Sequence, residues 1–145
     1  MLRRSPDLAS SRLGSYPRSI SEPIISLDTS EIRYGKLDEL TKAAAELVEF
    51  VRSNEPRPIA CEVYLDQTGS RMTVVQVHPD SASMGYHMTV AGPAFSGFAE
   101  LITLSTLDVY GEPSEELLEL LRRKVRMLGD ATVVVHELQA GFTRV

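Results

Sequence analysis

At 145 residues, 43% of them hydrophobic and 24% charged, the chain suits one globular domain with a substantial core. A net charge of −5 excludes general nucleic-acid binding, which needs basic surface to displace counterions from phosphates. No apolar run is long enough for a membrane span or a secretory signal, and a lone cysteine, Cys61, excludes an internal disulfide, so the cytoplasm is the expected setting.

Residues 1–22 stand apart from the rest. Arg3, Arg4, Arg12 and Arg18 outnumber Asp7 and Glu22, Ser and Pro are abundant, and apolar periodicity is absent. This predicts a flexible arm, or one draped over a partner subunit, ahead of a single domain over 23–145. The Arg/Ser content also resembles a transit peptide, against which Pro6 and Pro17 interrupt any amphipathic helix.

Ile24, Ile25, Leu27 and Ile32 predict a strand over 23–33, and Gly35 breaks the chain before a helix over 36–53. Leu37, Leu40, Ala44, Leu47 and Val51 share one face of that helix, which Asn54, Pro56 and Pro58 end. Ile59, Cys61, Val63 and Leu65 then alternate with Ala60, Glu62, Tyr64 and Asp66, the period of a sheet buried on one face. Cys61 falls in the apolar set and reads as a small core residue. After a turn at Gln67–Ser70, Arg71–His78 carries Val74, Val75 and Val77, as expected of a strand covered on both sides.

Asp80 is a good N-cap for a helix that Gly92-Pro93 is expected to end. Met84, His87, Met88 and Ala91 share a face of it, with Ser83, Tyr86 and Val90 alongside. Phe95 and Phe98 follow in a short turn or helix expected to close over the same region. Leu101–Tyr110 is strand-like and Gly111 ends it. Pro113 and Ser114 open a third helix with a stripe of Leu117, Leu118, Leu121, Val125 and Leu128. Arg122, Arg123, Lys124 and Arg126 crowd its last turns as a solvated basic end. Gly129 closes it, and Thr132–Leu138 supplies a last strand.

The order of elements is the split βαβ pattern of a ferredoxin-like α+β fold, an antiparallel sheet with helices on one face, extended by a C-terminal helix and strand. The second face of such a sheet needs cover. A homodimer with two sheets packed face to face supplies it.

In this order the chain resembles the antibiotic biosynthesis monooxygenase-like family, the dimeric α+β barrels. The resemblance is carried over about residues 24–110 by Ile32-Arg33-Tyr34-Gly35-Lys36-Leu37-Asp38-Glu39-Leu40, by Ala60-Cys61-Glu62-Val63-Tyr64, and by His87 ahead of Gly92-Pro93-Ala94-Phe95. It implies a small aromatic ligand held between sheet and helices, and a monooxygenase acting on a phenol or quinol with no metal or flavin cofactor. The chain has no Trp, which separates it from the haem-degrading branch of the family and from several members that use one in the pocket.

Oxygenation without a cofactor needs a base that converts the substrate to an electron-rich anion away from water. A neutral histidine suits that task. His87 is the candidate base, with Tyr86 and Tyr64 as orienting or proton-relay groups. Met72, Met84, Met88, Phe95 and Phe98 would form an adaptable apolar wall. The alternative is a non-catalytic ligand-binding or assembly protein of the same fold, in which His87 bonds a backbone or carboxylate partner and the Met and Phe side chains are core. His78, beside Pro79, is expected to face solvent or a turn, and His136 to reach a pocket or line a sheet surface. No metal-binding spacing, G-x-S-x-G elbow or phosphate-cradling glycine loop occurs.

Overall fold

A computed structural model describes residues 23–144; the expected N-terminal arm lies outside the described residues. Within them β1 (Ile24–Ile32), β2 (Ala60–Leu65), β3 (Arg71–His78), β4 (Ile102–Tyr110) and β5 (Val133–His136) form one sheet in the order β2-β3-β1-β4-β5. The first four pair antiparallel, the ferredoxin-like arrangement. β5 joins β4 in parallel, which requires a crossover connection. The helices are α1 (Leu37–Asn54), α2 (Ser81–Phe98) and α3 (Glu115–Leu128), and α3 is that crossover.

The ends of these elements follow the expected local chemistry. The Asp80 carboxylate accepts from the Ser83 N–H at 2.9 Å to start α2, and Ser114 Oγ accepts from the Leu117 N–H at 3.1 Å to start α3. Gly129 ends α3 with extended backbone, and its glycine has a steric cause: a Cβ there would lie 2.5 Å from the Leu104 carbonyl oxygen of β4.

Two expectations are corrected. α2 does not stop at Gly92-Pro93 but continues to Phe98. Pro93 lies on the exposed side, while Met84, His87, Met88, Ala91, Phe95 and Phe98 form one buried face at helical spacing. An interior proline costs about 3 kcal/mol. Burying two phenylalanines contributes about 1.5–3 kcal/mol each, which is enough to carry the helix through.

The second correction concerns polarity. Lys124, expected on a solvated helix end, belongs to the buried face of α3 with Leu117, Leu121, Val125 and Leu128. It meets β1, whose inner side is mostly polar. Ser26, Asp28 and Ser30 are buried beneath the helices, whereas Ile25 and Leu27 alternate onto the opposite face. That face also carries Val75, Val77, Tyr110 and Val134, all half-buried or exposed. A bulge between Thr29 and Ser30 interrupts the pairing of β1 with β4.

Candidate functional site

The inward face of α2 and the polar inner side of β1 meet at a small chamber of about 50 Å³. His87 enters it from α2 and is 1% exposed. Its Nδ1 lies 3.0 Å from both carboxylate oxygens of Glu55. Glu55 is the residue that closes α1: its N–H donates to the Val51 carbonyl at 2.9 Å while its side chain turns inward beneath α2. With Glu55 ionised, Nδ1–H donates to the carboxylate and Nε2 keeps its lone pair. Nε2 is buried and has no hydrogen-bond partner among the described residues.

Burial sets the charge states here. It pushes the Glu55 carboxyl up to about 6. Burial first, then the Lys124 ammonium and His78, holds His87 down to about 3. The imidazole is therefore neutral at pH 7 and, held by Glu55, offers an available lone pair to the chamber. A carboxylate partner does exist, as the non-catalytic alternative expects, but it engages only one of the two ring nitrogens.

An ion pair forms another part of the wall. Asp28 of β1 is 5% exposed, and its Oδ2 pairs with Nζ of Lys124, which is 7% exposed. Lys124 Nζ also sits 4.7 Å from the Phe95 ring centroid. The other Asp28 oxygen, Oδ1, is buried without a partner among the described residues, as is Ser26 Oγ. Ser30 and Gln76 complete the polar lining, and Leu47, Val48, Val63, Met72, Phe95 and Phe98 supply most of the apolar lining. Cys61 lies half-buried in the wall. Burial, then Glu55, raises its thiol pKa, so it stays protonated.

His78 is fully buried beside this group, not solvent-facing as expected. Its Nδ1 lies 2.8 Å from Ser83 Oγ and its Nε2 2.9 Å from Gln76 Oε1, 5.7 Å from the His87 ring by centroids. The orientation comes from β3: His78 shares the inward side with Met72, Val74 and Gln76. Burial lowers its pKa to about 4, so it is a neutral brace between β3 and α2.

Of the predicted site residues, Met72, Phe95 and Phe98 line the chamber with His87. Met84 and Met88 are buried in the core beside it but do not line it. The tyrosines are not brought to it. Tyr86 is 53% exposed, one helical step of about 100° round from His87. Tyr64, 54% exposed, alternates away from Cys61 and Val63 and donates to Glu62 at 3.1 Å. His136 lines a sheet surface, 2.8 Å from Asp108 Oδ1 and stacked on Tyr110 at 4.3 Å. Among the described residues no group of three His, Cys, Asp or Glu side chains is placed to hold a metal.

Glu55, Asp28 and Lys124 complete the site without having been singled out in the sequence. Two of them left a signal. Lys124 follows Leu117 and Leu121 at seven and three residues, on the apolar stripe. Ser26, Asp28 and Ser30 alternate with Ile25 and Leu27, so β1 must present one polar face somewhere.

No family profile matches the sequence, and no curated protein does. Solved structures do match. MupZ from Pseudomonas fluorescens superposes with a TM-score of 0.67 at 19% identity, over 86% of this chain and 96% of that one. SnoaB, a cofactor-independent oxygenase from Streptomyces nogalater, gives 0.55 at 11% identity, over 65% and 96% of the two chains. A Deinococcus radiodurans protein provisionally assigned as an antibiotic biosynthesis monooxygenase gives 0.54 at 17% identity, over 63% and 93%. The last two shares suit the β1–β4 unit, whereas the share matched by MupZ is larger than that unit can supply. At these identities the likeness is one of fold. The chain has the ferredoxin-like fold of the antibiotic biosynthesis monooxygenase-like proteins.

Proposed function

We propose that the protein is an enzyme in which His87 removes a proton from a small, largely apolar substrate, and that the reaction is oxygenation of a phenol or quinol without a cofactor. The observation that carries this is the unpartnered Nε2 of a neutral, Glu55-held imidazole facing a mainly apolar chamber. Nε2 takes the phenolic proton. The resulting anion gives an electron to O2, the two fragments join at carbon, and loss of water leaves a new carbonyl. One O2 is consumed, one oxygen atom enters product and the other leaves as water. The Lys124 ammonium favours the transient anions electrostatically, and the apolar walls limit competition from water. SnoaB, of the same fold, is a cofactor-independent oxygenase, which supports the oxygen-dependent form of the reaction.

The Asp28–Lys124 pair favours a second reading, in which the chamber moves protons with no part for oxygen, as in an isomerisation. The two separate in a closed cell. A panel of phenols and hydroquinones is followed by oxygen uptake and mass spectrometry, in air and under nitrogen. Oxygenation predicts one O2 consumed per product in air and no product under nitrogen. Equal conversion under nitrogen assigns the proton-transfer reaction. Binding without conversion in either atmosphere identifies a ligand-binding protein.

The sheet face carrying Ile25, Leu27, Val75 and Val77 supports a homodimer, since apolar faces of this kind mark association surfaces. Light scattering at micromolar concentration is expected to give twice the 16.0 kDa chain mass. Leu27→Lys is expected to halve that value, and a wild-type mass of one chain would overturn the dimer.

A further inference from the structure

The chamber is smaller than the ligand its chemistry calls for. Its volume is about 50 Å³, whereas a cavity known to take up benzene measures about 150 Å³. Its walls, however, are shared. Val48, Cys61, Val63 and Met72 line both the chamber and a groove of about 730 Å³ between α1 and β2. Another groove of about 410 Å³, between α1 and α2, shares only Leu47 and Phe98 with the chamber. Cysteine, valine and methionine make a thinner and more adaptable partition than a buried phenylalanine does. The groove between α1 and β2 is thus the natural continuation of the chamber. Ala45, Val48 and Leu65 give it apolar surface, and Glu49, Arg52 and Glu62 bring charge to it.

At the inner end, two buried acceptors, Asp28 Oδ1 and His87 Nε2, have no donor among the described residues. Buried acceptors of this kind favour a ligand that brings hydrogen-bond donors to them. A hydroxyl can donate to Asp28 and accept from the neighbouring Lys124, and a second hydroxyl can donate to Nε2. A carboxylate would instead set a further anion beside Asp28 and Glu55.

We infer that the ligand is elongated, with a head bearing two hydroxyl groups seated on Asp28 and His87 and an apolar body running past Cys61 into the groove between α1 and β2. This rests on the proposed function only in taking Nε2 as an acceptor, and binding is measured without turnover. Calorimetry under nitrogen on the wild-type protein would use catechol, resorcinol and hydroquinone, their hexyl derivatives, the dimethyl ethers of those, and hexylbenzoate. For the preferred diol, the hexyl chain is expected to tighten binding about tenfold or more. Methylating both hydroxyls is expected to weaken it about tenfold or more. The hexyl diol should slow labelling of Cys61 by a disulfide thiol reagent more than the plain diol does at equal occupancy. Ala45→Phe, on the exposed side of the groove and outside the chamber wall, should remove the gain from the chain and leave the plain diol bound.

No gain from the hexyl chain, or Cys61 labelling slowed no more by the hexyl diol than by the plain one, overturns the placement of the body. Hexylbenzoate binding as tightly as the diol overturns the head. If Ala45→Phe does not fold, the wild-type labelling experiment still decides. Failure of oxygenation alone would appear as absent oxygen uptake with these binding differences intact.

Discussion

His87→Asn is expected to lower turnover by about 10²–10⁴-fold, the range for losing a positioned acid–base group. Thermal unfolding checks that the variant remains folded. The pH profile provides the sharper test, because the group that titrates near neutrality is Glu55, at about 6, while His87 stays neutral down to about 3. Above pH 6 the Glu55 carboxylate accepts from Nδ1–H and Nε2 is free to take a proton. Below it the protonated carboxyl donates to Nδ1, the ring proton moves to Nε2, and the base is lost from the chamber. Activity should therefore rise with pH through about 6, and Glu55→Gln should lose that limb. A limb unmoved in Glu55→Gln would remove Glu55 from the mechanism.

The same residue has a consequence for stability, with a definite sign. Its folded pKa, about 6, lies above the ordinary value of 4.5. The folded state therefore holds the extra proton between these values, and stability falls as pH rises through that window. Above pH 6 the ionised, buried Glu55 costs the fold about 2 kcal/mol. Glu55→Gln is expected to be more stable than wild type at pH 8 in urea unfolding while being less active. Such a trade marks a group kept for function.

The largest expected loss of stability lies at the ion pair. Lys124→Met leaves Asp28 buried with no countercharge, and removing one partner of such a pair costs about 3–5 kcal/mol. That is a large share of a total that for most domains is only about 5–15 kcal/mol. Asp28→Asn with Lys124→Met leaves no orphaned charge and should recover much of the loss in urea unfolding at pH 7. A single variant as stable as wild type would mean that water reaches Asp28. If the pair serves the ligand, the double variant should regain stability without regaining activity.

Much of the architecture was legible because it is written in local periods. β3 occupies the expected Arg71–His78, and the helix expected over 36–53 is Leu37–Asn54. The end of α2 is not legible locally because Pro93 is a local signal, whereas Phe95 and Phe98 answer to packing. In the site, His87, Met72, Phe95 and Phe98 could be grouped because three of them lie on α2 and Met72 on a neighbouring element. Glu55 and Lys124 could not. Periodicity tells which residues share a face of one element, not which faces meet. A charged residue is ordinarily assigned to solvent until a partner such as Asp28 is seen opposite it.

The bulge between Thr29 and Ser30 governs more than a local bend. A slip of β1 by one residue against its neighbours would turn Asp28 outward and drive Leu27 into the chamber, since successive side chains point to opposite sides of the sheet. By interrupting the ladder at one point, the bulge makes the shifted pairing harder to form. Chamber and outer surface are therefore set in a single event. A molecule that has seated Asp28 against Lys124 has also placed Ile25 and Leu27 on the side where a second copy would dock.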